Sequence, residues 1–189
     1  MLHRHGAPAM QARIGRIEMA SARIRSFNPA TVIGLLQTHD YIRGLLSGRY
    51  SGRELDGMVA ARLARQQVLD TDRDFHFVIT EGALRWQVGS PQIMAAQVEH
   101  LTVLTELRNV RLGVVPWTRA TNRPVLHPFQ IYDERAIMLN TETATALITD
   151  VRDVADFEAR FDIYAEFADY GDDACAVFGR IANEYHQLS

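Results

Sequence analysis

The sequence predicts an α+β domain in which helices at both ends enclose a small mixed or antiparallel sheet of at least four strands. Apolar residues with helical spacing open and close the chain, whereas runs of β-branched and aromatic residues lie between them. Hydrophobic residues make up 47% of the 189 positions, which is enough to form a core. Because no repeat or linker interrupts the chain, we expect one domain over residues 1–189.

The first segment is predicted to be a long helix. Apolar side chains from Ile14 to Phe27 recur at intervals of three and four residues, with arginines interspersed. This spacing indicates a helix over 10–27. Asn28 and Pro29 end it, because proline disfavours helical backbone at the residue before it.

Two further helices follow a turn. We expect Gly34 to adopt a positive φ in this turn and Thr38 to cap a helix that ends at Leu46. The pair Ser51 and Glu54 has the spacing of a capping box, so the next helix begins there and continues to about Leu69.

The middle of the chain supplies the sheet. Its predicted strands are 75–80, 110–115, and a hairpin of 129–132 with 136–139. Ser90 and Pro91 start a helix between the first two strands, as an N-cap residue and a first-turn proline. The loop 117–127 is long enough to act as a lid or binding loop, and an ordinary surface loop is the alternative.

Two helices close the chain. Apolar positions from Val154 to Tyr164 fall on one helical face, and a last helix carries Val177 to Tyr185. Asp172 is a candidate N-cap for that last helix.

Composition excludes several classes of protein. The 20 basic residues, all arginine, are balanced by 23 acidic residues, so we expect no direct binding of nucleic acid. No apolar run approaches the roughly 20 residues that cross a bilayer, and no signal peptide is evident, so no membrane partner is expected. Cys175 is the single cysteine, which is typical of a reducing compartment and predicts a cytoplasmic protein.

Familiar cofactor and metal motifs are missing from the sequence. It contains no phosphate-binding glycine loop, dinucleotide fingerprint or nucleophile elbow. No two histidines on one predicted helix have the i, i+4 spacing of a metal site. We therefore predict no cofactor and no metal.

Several phrases, in order, carry a family resemblance. Segment 17–46 reads IEMASARIRSFNPATVIGLLQTHDYIRGLL, and 62–66 has an Arg-x-x-Arg-Gln pattern. Later segments are ITEGALRWQVGSPQIMAAQVEHL at 79–101, NVRLGVVP at 109–116 and PFQIYD at 128–133. Together they resemble the domain of unknown function that follows an Xre-type helix-turn-helix in many Streptomyces and related actinobacterial regulators, often described as antitoxin-like. The resemblance spans nearly the whole chain.

The resemblance implies a regulatory domain that binds an effector or a small, adjacently encoded partner protein. A second copy of the chain is a further candidate partner. The family's DNA-binding helices precede the segment at 17–46, and we expect this chain to lack them. A piece of a longer regulator is the alternative.

The first functional hypothesis is a binding module with a pocket or groove between helices and sheet. Its candidate ligand-binding residues are polar or aromatic: Gln37, Tyr41, Arg65, Gln66, Glu81, Arg85, Trp86 and Trp117. Purely structural roles are the alternative, because the turn before Tyr41 can be held by caps alone and Glu81 with Arg85 can form an ordinary ion pair.

The second hypothesis is a stand-alone small-molecule-binding protein or enzyme of a natural-product pathway, built on the same scaffold. Its acid–base candidates are His100, Glu81 and Tyr41. His100 is the best single general base by residue type, and a packed helical histidine is the alternative.

Overall fold

A computed structural model describes residues 2–3, 7–141 and 144–188. Within these ranges, seven strands form one mixed sheet in the order β1-β7-β6-β5-β2-β3-β4. The strands are β1 (Leu2–His3), β2 (Arg23–Asn28), β3 (Asp74–Thr80), β4 (Val110–Val115), β5 (Phe129–Tyr132), β6 (Ala136–Asn140) and β7 (Thr145–Ile148). The α+β class and the prediction of at least four strands are confirmed.

Helices lie before, between and after the strands. They are α1 (Ala7–Ala20), α2 (His39–Ser47), α3 (Gly52–Gln66), the single turn α4 (Gly82–Arg85), α5 (Pro91–Leu104), α6 (Val151–Phe167) and α7 (Gly171–Gln187). Short 3-10 turns occupy Gly34–Leu36 and Gln67–Asp70. Among the described residues, no helix is long and apolar enough to cross a bilayer.

The sheet has a parallel half and an antiparallel half that meet at β2. Strands β2, β3 and β4 run parallel, with Ile24 opposite Phe75 and Phe75 opposite Val110. Strand β5 pairs antiparallel with β2, and β6, β7 and β1 continue antiparallel. Strand β2 therefore has neighbours from both halves.

The two faces of the sheet are covered unequally. Phe75, Phe77 and Ile79 pack on one face, hereafter the helical face, with apolar residues of α1, α2, α5 and α7. The other face carries Phe27 and Val78, which pack against α6. This alternation along each strand follows from the two-residue period of side chains in a sheet.

Local sequence chemistry correctly located several boundaries. The strand at 110–115 and the first hairpin strand, 129–132, lie where predicted, and the second hairpin strand, predicted over 136–139, extends one residue farther to Asn140. The Thr38 side chain accepts a hydrogen bond from the backbone N–H of Tyr41, and Ser90 accepts one from Ile93, so both predicted N-caps are confirmed.

The long first helix is the main error. Helix α1 ends at Ala20, and Arg23–Asn28 is strand β2. Ser21 breaks the helical spacing, and the residues after it satisfy their backbone groups by pairing with β3 and β5. Those partners lie about 50 and 110 positions farther along the chain, beyond the reach of a local spacing rule.

Smaller corrections concern caps and turns. Ser51 stands at the N-cap of α3 but makes no capping hydrogen bond through its side chain, and α3 ends at Gln66. Gly34 does not adopt a positive φ. Helix α7 begins at Gly171, so Asp172 lies in its first turn instead of capping it. Strands β1 and β7 were not predicted.

Candidate functional site

Glu81 lies at the carboxyl end of β3 and anchors a group of polar side chains. Its carboxylate accepts hydrogen bonds from Arg85 Nε at 2.7 Å, the Trp117 backbone N–H at 3.1 Å and Arg180 Nη1 at 3.2 Å. Glu81 is only 4% exposed. Burial alone would raise the pKa of its carboxyl group, but these donors outweigh it and hold the pKa below its usual value. Glu81 is therefore an anion with three fixed partners.

The same arginines fasten α4 to α7 through Glu184. Arg85 donates to both carboxylate oxygens of Glu184, at 2.6 and 3.2 Å, and Arg180 donates to one of them at 3.3 Å. The hydrogen bonds to Glu184 raise the pKa of Arg85 above its usual value. Two guanidinium groups and two carboxylates thus form one neutral network whose geometry is fixed from both sides.

Two exposed tryptophans adjoin this network, Trp117 through its contacts with Arg85 and Glu81 and Trp86 as the residue that follows Arg85 in the chain. Trp86 is 74% exposed and Trp117 is 65% exposed. The Arg85 guanidinium carbon lies 5.2 Å from the centre of the Trp117 ring, within cation–π range. We call the surface formed by Arg85, Arg180, Trp86 and Trp117 the indole–arginine patch.

The patch lies where the parallel strands end. Thr80 Oγ1 donates to the Pro29 carbonyl at 2.7 Å, and the Glu81 backbone N–H donates to the Val115 carbonyl at 2.9 Å. The carboxyl ends of β2, β3 and β4 therefore meet at this edge. In open sheets, the crevice outside the carboxyl ends of parallel strands is the usual place for a ligand.

A second polar group surrounds the turn 34–38. Gln37 is buried, and its amide donates to the Val32 carbonyl at 2.7 Å and accepts from Arg62 Nη1 at 2.8 Å. The Gln66 amide donates to the carbonyls of Gly34 and Gln37, at 3.2 and 2.7 Å. The turn is thus held by side chains from α3.

Arg65 belongs to this second group. It donates to both carboxylate oxygens of Glu18 on α1, from Nε at 3.0 Å and from Nη2 at 2.6 Å. The candidate ligand-binding residues Arg65, Gln66, Glu81 and Arg85 are therefore divided between two groups. Arg65 and Gln66 hold the interior of the helical layer, whereas Glu81 and Arg85 support the surface patch.

A comparison with protein-family models decides the relationship of this chain to known proteins. A model for a domain of unknown function, DUF5753, matches residues 11–180. The chain belongs to the DUF5753 family. The DUF5753 match includes the residues of both polar groups described above except Glu184. A search of curated protein sequences found no match.

Among solved structures, this DUF5753 domain is similar to TrmBL2, an archaeal chromatin protein described as showing a novel mode of DNA binding. The similarity has a TM-score of 0.47 at 14% sequence identity. It covers 90% of this chain and 52% of TrmBL2, so the domain spans about half the length of that protein.

The three acid–base candidates lie in different surroundings in the DUF5753 domain. Tyr41 is fully buried, and its hydroxyl accepts a hydrogen bond from the Val32 backbone N–H at 3.3 Å. Burial raises the pKa of Tyr41 and lowers that of His100 on α5. Within the described part of the chain, no hydrogen bond joins any two of Tyr41, Glu81 and His100. They do not form a connected acid–base set.

Several contributors to these groups were not predicted from the sequence. Gln97 is fully buried on α5, and it donates to the Leu36 carbonyl at 2.8 Å and accepts from the Thr38 backbone N–H at 2.7 Å. The sequence does contain one indication of this role, because Gln97 is a polar residue among the apolar positions of the predicted helix that begins at Pro91. Arg180 and Glu184 have the i, i+4 spacing of an ordinary helical ion pair. That spacing does not indicate that they also contact Arg85 and Glu81.

The described residues contain no group of three or more His, Cys, Asp or Glu side chains that could hold a metal ion. Cys175 Sγ lies 3.6 Å from Thr105 Oγ1, between α7 and the end of α5. The thiol is thus a packing group in the contact between these two helices.

Proposed function

We propose that this DUF5753 domain is the partner-binding module of a regulatory system related to the actinobacterial Xre-type regulators, and that the indole–arginine patch is its binding surface. The module contributes binding and no chemical step. In this proposal DNA contact belongs to another component of the system, consistent with the net charge of −3 on this chain.

The exposure of both tryptophans is the observation that carries the proposal. Trp and Arg are among the residues enriched at the positions that dominate the energy of protein–protein interfaces. Trp86 and Trp117 expose large apolar rings to solvent, and such exposure commonly marks an interaction site.

Preorganisation of the patch supports the same conclusion. Arg85 is fixed by Glu81 and Glu184, so a partner would order little more of this side chain on binding. A partner protein that presents an apolar side chain to the exposed indole rings fits this surface better than a polar metabolite does.

The bonding of Glu81 argues against catalysis at the same place. Its carboxylate already accepts three hydrogen bonds, and its lowered pKa leaves it ionised at neutral pH. A general acid needs a proton to give, and a general base needs a pKa near the working pH. Glu81 therefore serves to position Arg85 and the Trp117 backbone.

The test uses the small protein encoded next to this chain as the probe. Isothermal titration calorimetry should give binding that weakens at least tenfold in the double variant Trp86→Ala/Trp117→Ala. Val151→Ala, at an exposed position at the start of α6, is the matched control and should bind as the parent does. Absence of binding, or unchanged affinity in the double variant, would contradict the proposal.

A further inference from the structure

Gly82 is the first residue of α4, and its backbone conformation does not require a glycine. The described glycines with a positive φ are Gly52, Gly89 and Gly171, and Gly82 is not among them. A glycine in a helix is less favourable than an alanine, because it loses more conformational freedom when the chain folds. The explanation for a glycine at position 82 therefore lies in the space around it.

Other groups occupy that space on three sides. A Cβ atom at position 82 would lie 3.2 Å from Thr80 Oγ1, 3.3 Å from Trp117 Nε1 and 3.4 Å from the Pro29 carbonyl oxygen. The first two distances are closer than ordinary van der Waals contact, which begins at about 3.4 Å. The indole nitrogen of Trp117 thus lies against the α-carbon of Gly82, where a side chain would otherwise be.

Of these three neighbours, the indole ring is the one that can move. Thr80 Oγ1 and the Pro29 carbonyl are joined by a hydrogen bond of 2.7 Å at the ends of two parallel strands. The Trp117 side chain is exposed, whereas its backbone N–H is held by Glu81. A group added at position 82 therefore turns the indole ring and leaves the strand ends in place.

A second contact fixes one face of the same ring. The Arg85 guanidinium lies over the Trp117 ring, 5.2 Å from its centre. With Arg85 on one face and Gly82 at the nitrogen edge, the exposed part of the side chain is the other face and the six-membered ring. This part of the indole is hydrocarbon.

We propose that Gly82 is a positioning residue of the indole–arginine patch, which lets Trp117 lie with its nitrogen against α4 so that a partner meets only the hydrocarbon part of the ring. This inference rests on the proposed function and narrows the chemistry of the partner. An aliphatic or aromatic side chain of the partner contacts Trp117, and the indole nitrogen donates no hydrogen bond to it. A larger residue at position 82 turns the ring away from Arg85 and weakens this contact.

Fluorescence quenching tests the placement of the ring without any partner. The chain has two tryptophans, so Trp86→Phe leaves Trp117 as the single indole. In that background, acrylamide should quench Trp117 more strongly in Gly82→Val than in the parent, with Gly82→Ala between them. Gly57→Val is the matched control and should leave quenching unchanged, since an added Cβ at this helical glycine meets no atom within 4 Å.

Calorimetric titration with the small, adjacently encoded protein tests the effect on binding. Gly82→Val should weaken the affinity at least about tenfold, and Gly57→Val should bind as the parent does. In the Trp117→Ala background, Gly82→Val should cause no further loss, because it acts through the ring. A change that only disturbed α4 would cause the same loss in both backgrounds.

Two replacements of Trp117 test the chemistry of the contact. Trp117→Phe keeps an apolar ring without an N–H group, whereas Trp117→His keeps a ring N–H with less hydrocarbon surface. The phenylalanine variant should retain more of the affinity for the partner protein than the histidine variant does.

Four results would overturn the proposal. They are equal quenching in Gly82→Val and its parent, unchanged affinity in Gly82→Val, an equal loss with and without the Trp117 ring, and tighter binding by Trp117→His than by Trp117→Phe. If Gly82→Val does not fold, Gly82→Ala decides the question. Absence of binding by the parent chain contradicts the proposed function, whereas the quenching series still decides whether Gly82 positions the ring.

Discussion

The ring of Tyr170 lies against the α-carbon of Gly113. A Cβ atom at position 113 would come within 2.5 Å of Cε1 in that ring and within 2.9 Å of the Ala168 Cβ. Gly113 belongs to β4, which is at the edge of the sheet. Beside it, Val114 and Asp169 exchange backbone hydrogen bonds of 3.0 and 2.8 Å. The link between α6 and α7 therefore covers part of an edge that would otherwise be open to another strand.

Gly113→Ala should lower the free energy of unfolding by about 1–3 kcal/mol, because the added methyl group must displace Tyr170 or the backbone of β4. Urea unfolding followed by circular dichroism measures this change. Gly57→Ala is the control, since its added Cβ meets no atom within 4 Å on the exposed side of α3. That variant should gain about 0.5–1 kcal/mol from its higher helix propensity. Equal stability of the parent and Gly113→Ala would contradict the observed packing.

His76 should make stability depend on pH. Burial, with Arg111 and Arg25 nearby, lowers its pKa from 6.5 to about 4. Between these values the unfolded chain binds more protons than the folded one, so the folded state loses stability as pH falls from 6.5 to 4. After a discount for partial exposure, His76 contributes about 1–2 kcal/mol to this loss.

His76→Gln tests this contribution. Urea unfolding at pH 7.5 and pH 4.5 should give a smaller decrease in the variant than in the parent chain. His186→Gln is the control, because His186 is an exposed histidine on α7 that contacts Glu99. An identical pH dependence in the parent and His76→Gln would show that His76 is not held neutral by the fold.

Glu81→Gln should be strongly destabilising. It removes the buried carboxylate that Arg85, Arg180 and the Trp117 backbone share. Breaking a buried ion pair costs about 3–5 kcal/mol, and the partial exposure of both arginines reduces this to about 2–3 kcal/mol. Glu184→Gln, at a partly exposed position of the same network, should cost less than about 1 kcal/mol. Chemical denaturation of both variants measures the difference, and a larger loss in Glu184→Gln would reverse this assignment of roles.

Gln97→Leu should lower the free energy of unfolding by about 2–4 kcal/mol, because the backbone groups of Leu36 and Thr38 would both lose their partner in the interior. Gln92→Leu changes the same residue type at an exposed position of α5 and should have little effect. Hydrogen exchange gives a second measurement. The Thr38 amide should exchange faster in Gln97→Leu, and unchanged protection would contradict its bond to Gln97.

Local chemistry was enough to predict part of this fold. The Thr38 and Ser90 caps depend on residues within one turn, and β4 lies between a loop and Pro116, so neighbouring residues determine them. Strand β2 depends on partners far along the chain. The side chains of Arg23–Asn28 alternate between the two faces of the sheet. Because Ile24 and Phe27 are three residues apart, they also continue the apolar spacing of α1, and this spacing predicts a helix.

The contacts in the candidate sites can likewise be separated into local ones, which the sequence predicts, and long-range ones, which it does not. Glu81 and Arg85 are four residues apart, so their contact follows from helical spacing. Their contacts with Arg180 and Glu184 span about 100 residues and arise from the packing of α7 beside α4. Likewise, the sequence identified Arg65 as a candidate but gave no means of finding Glu18 as its partner.

The central position of β2 in the sheet affects how the chain folds during its synthesis on the ribosome. This strand is completed early, yet its second neighbour, β5, is synthesised only when residue 132 has been added. Until then, one side of β2 has unpaired amide and carbonyl groups. Such late, long-range pairing slows folding and prolongs the time during which the nascent chain can aggregate.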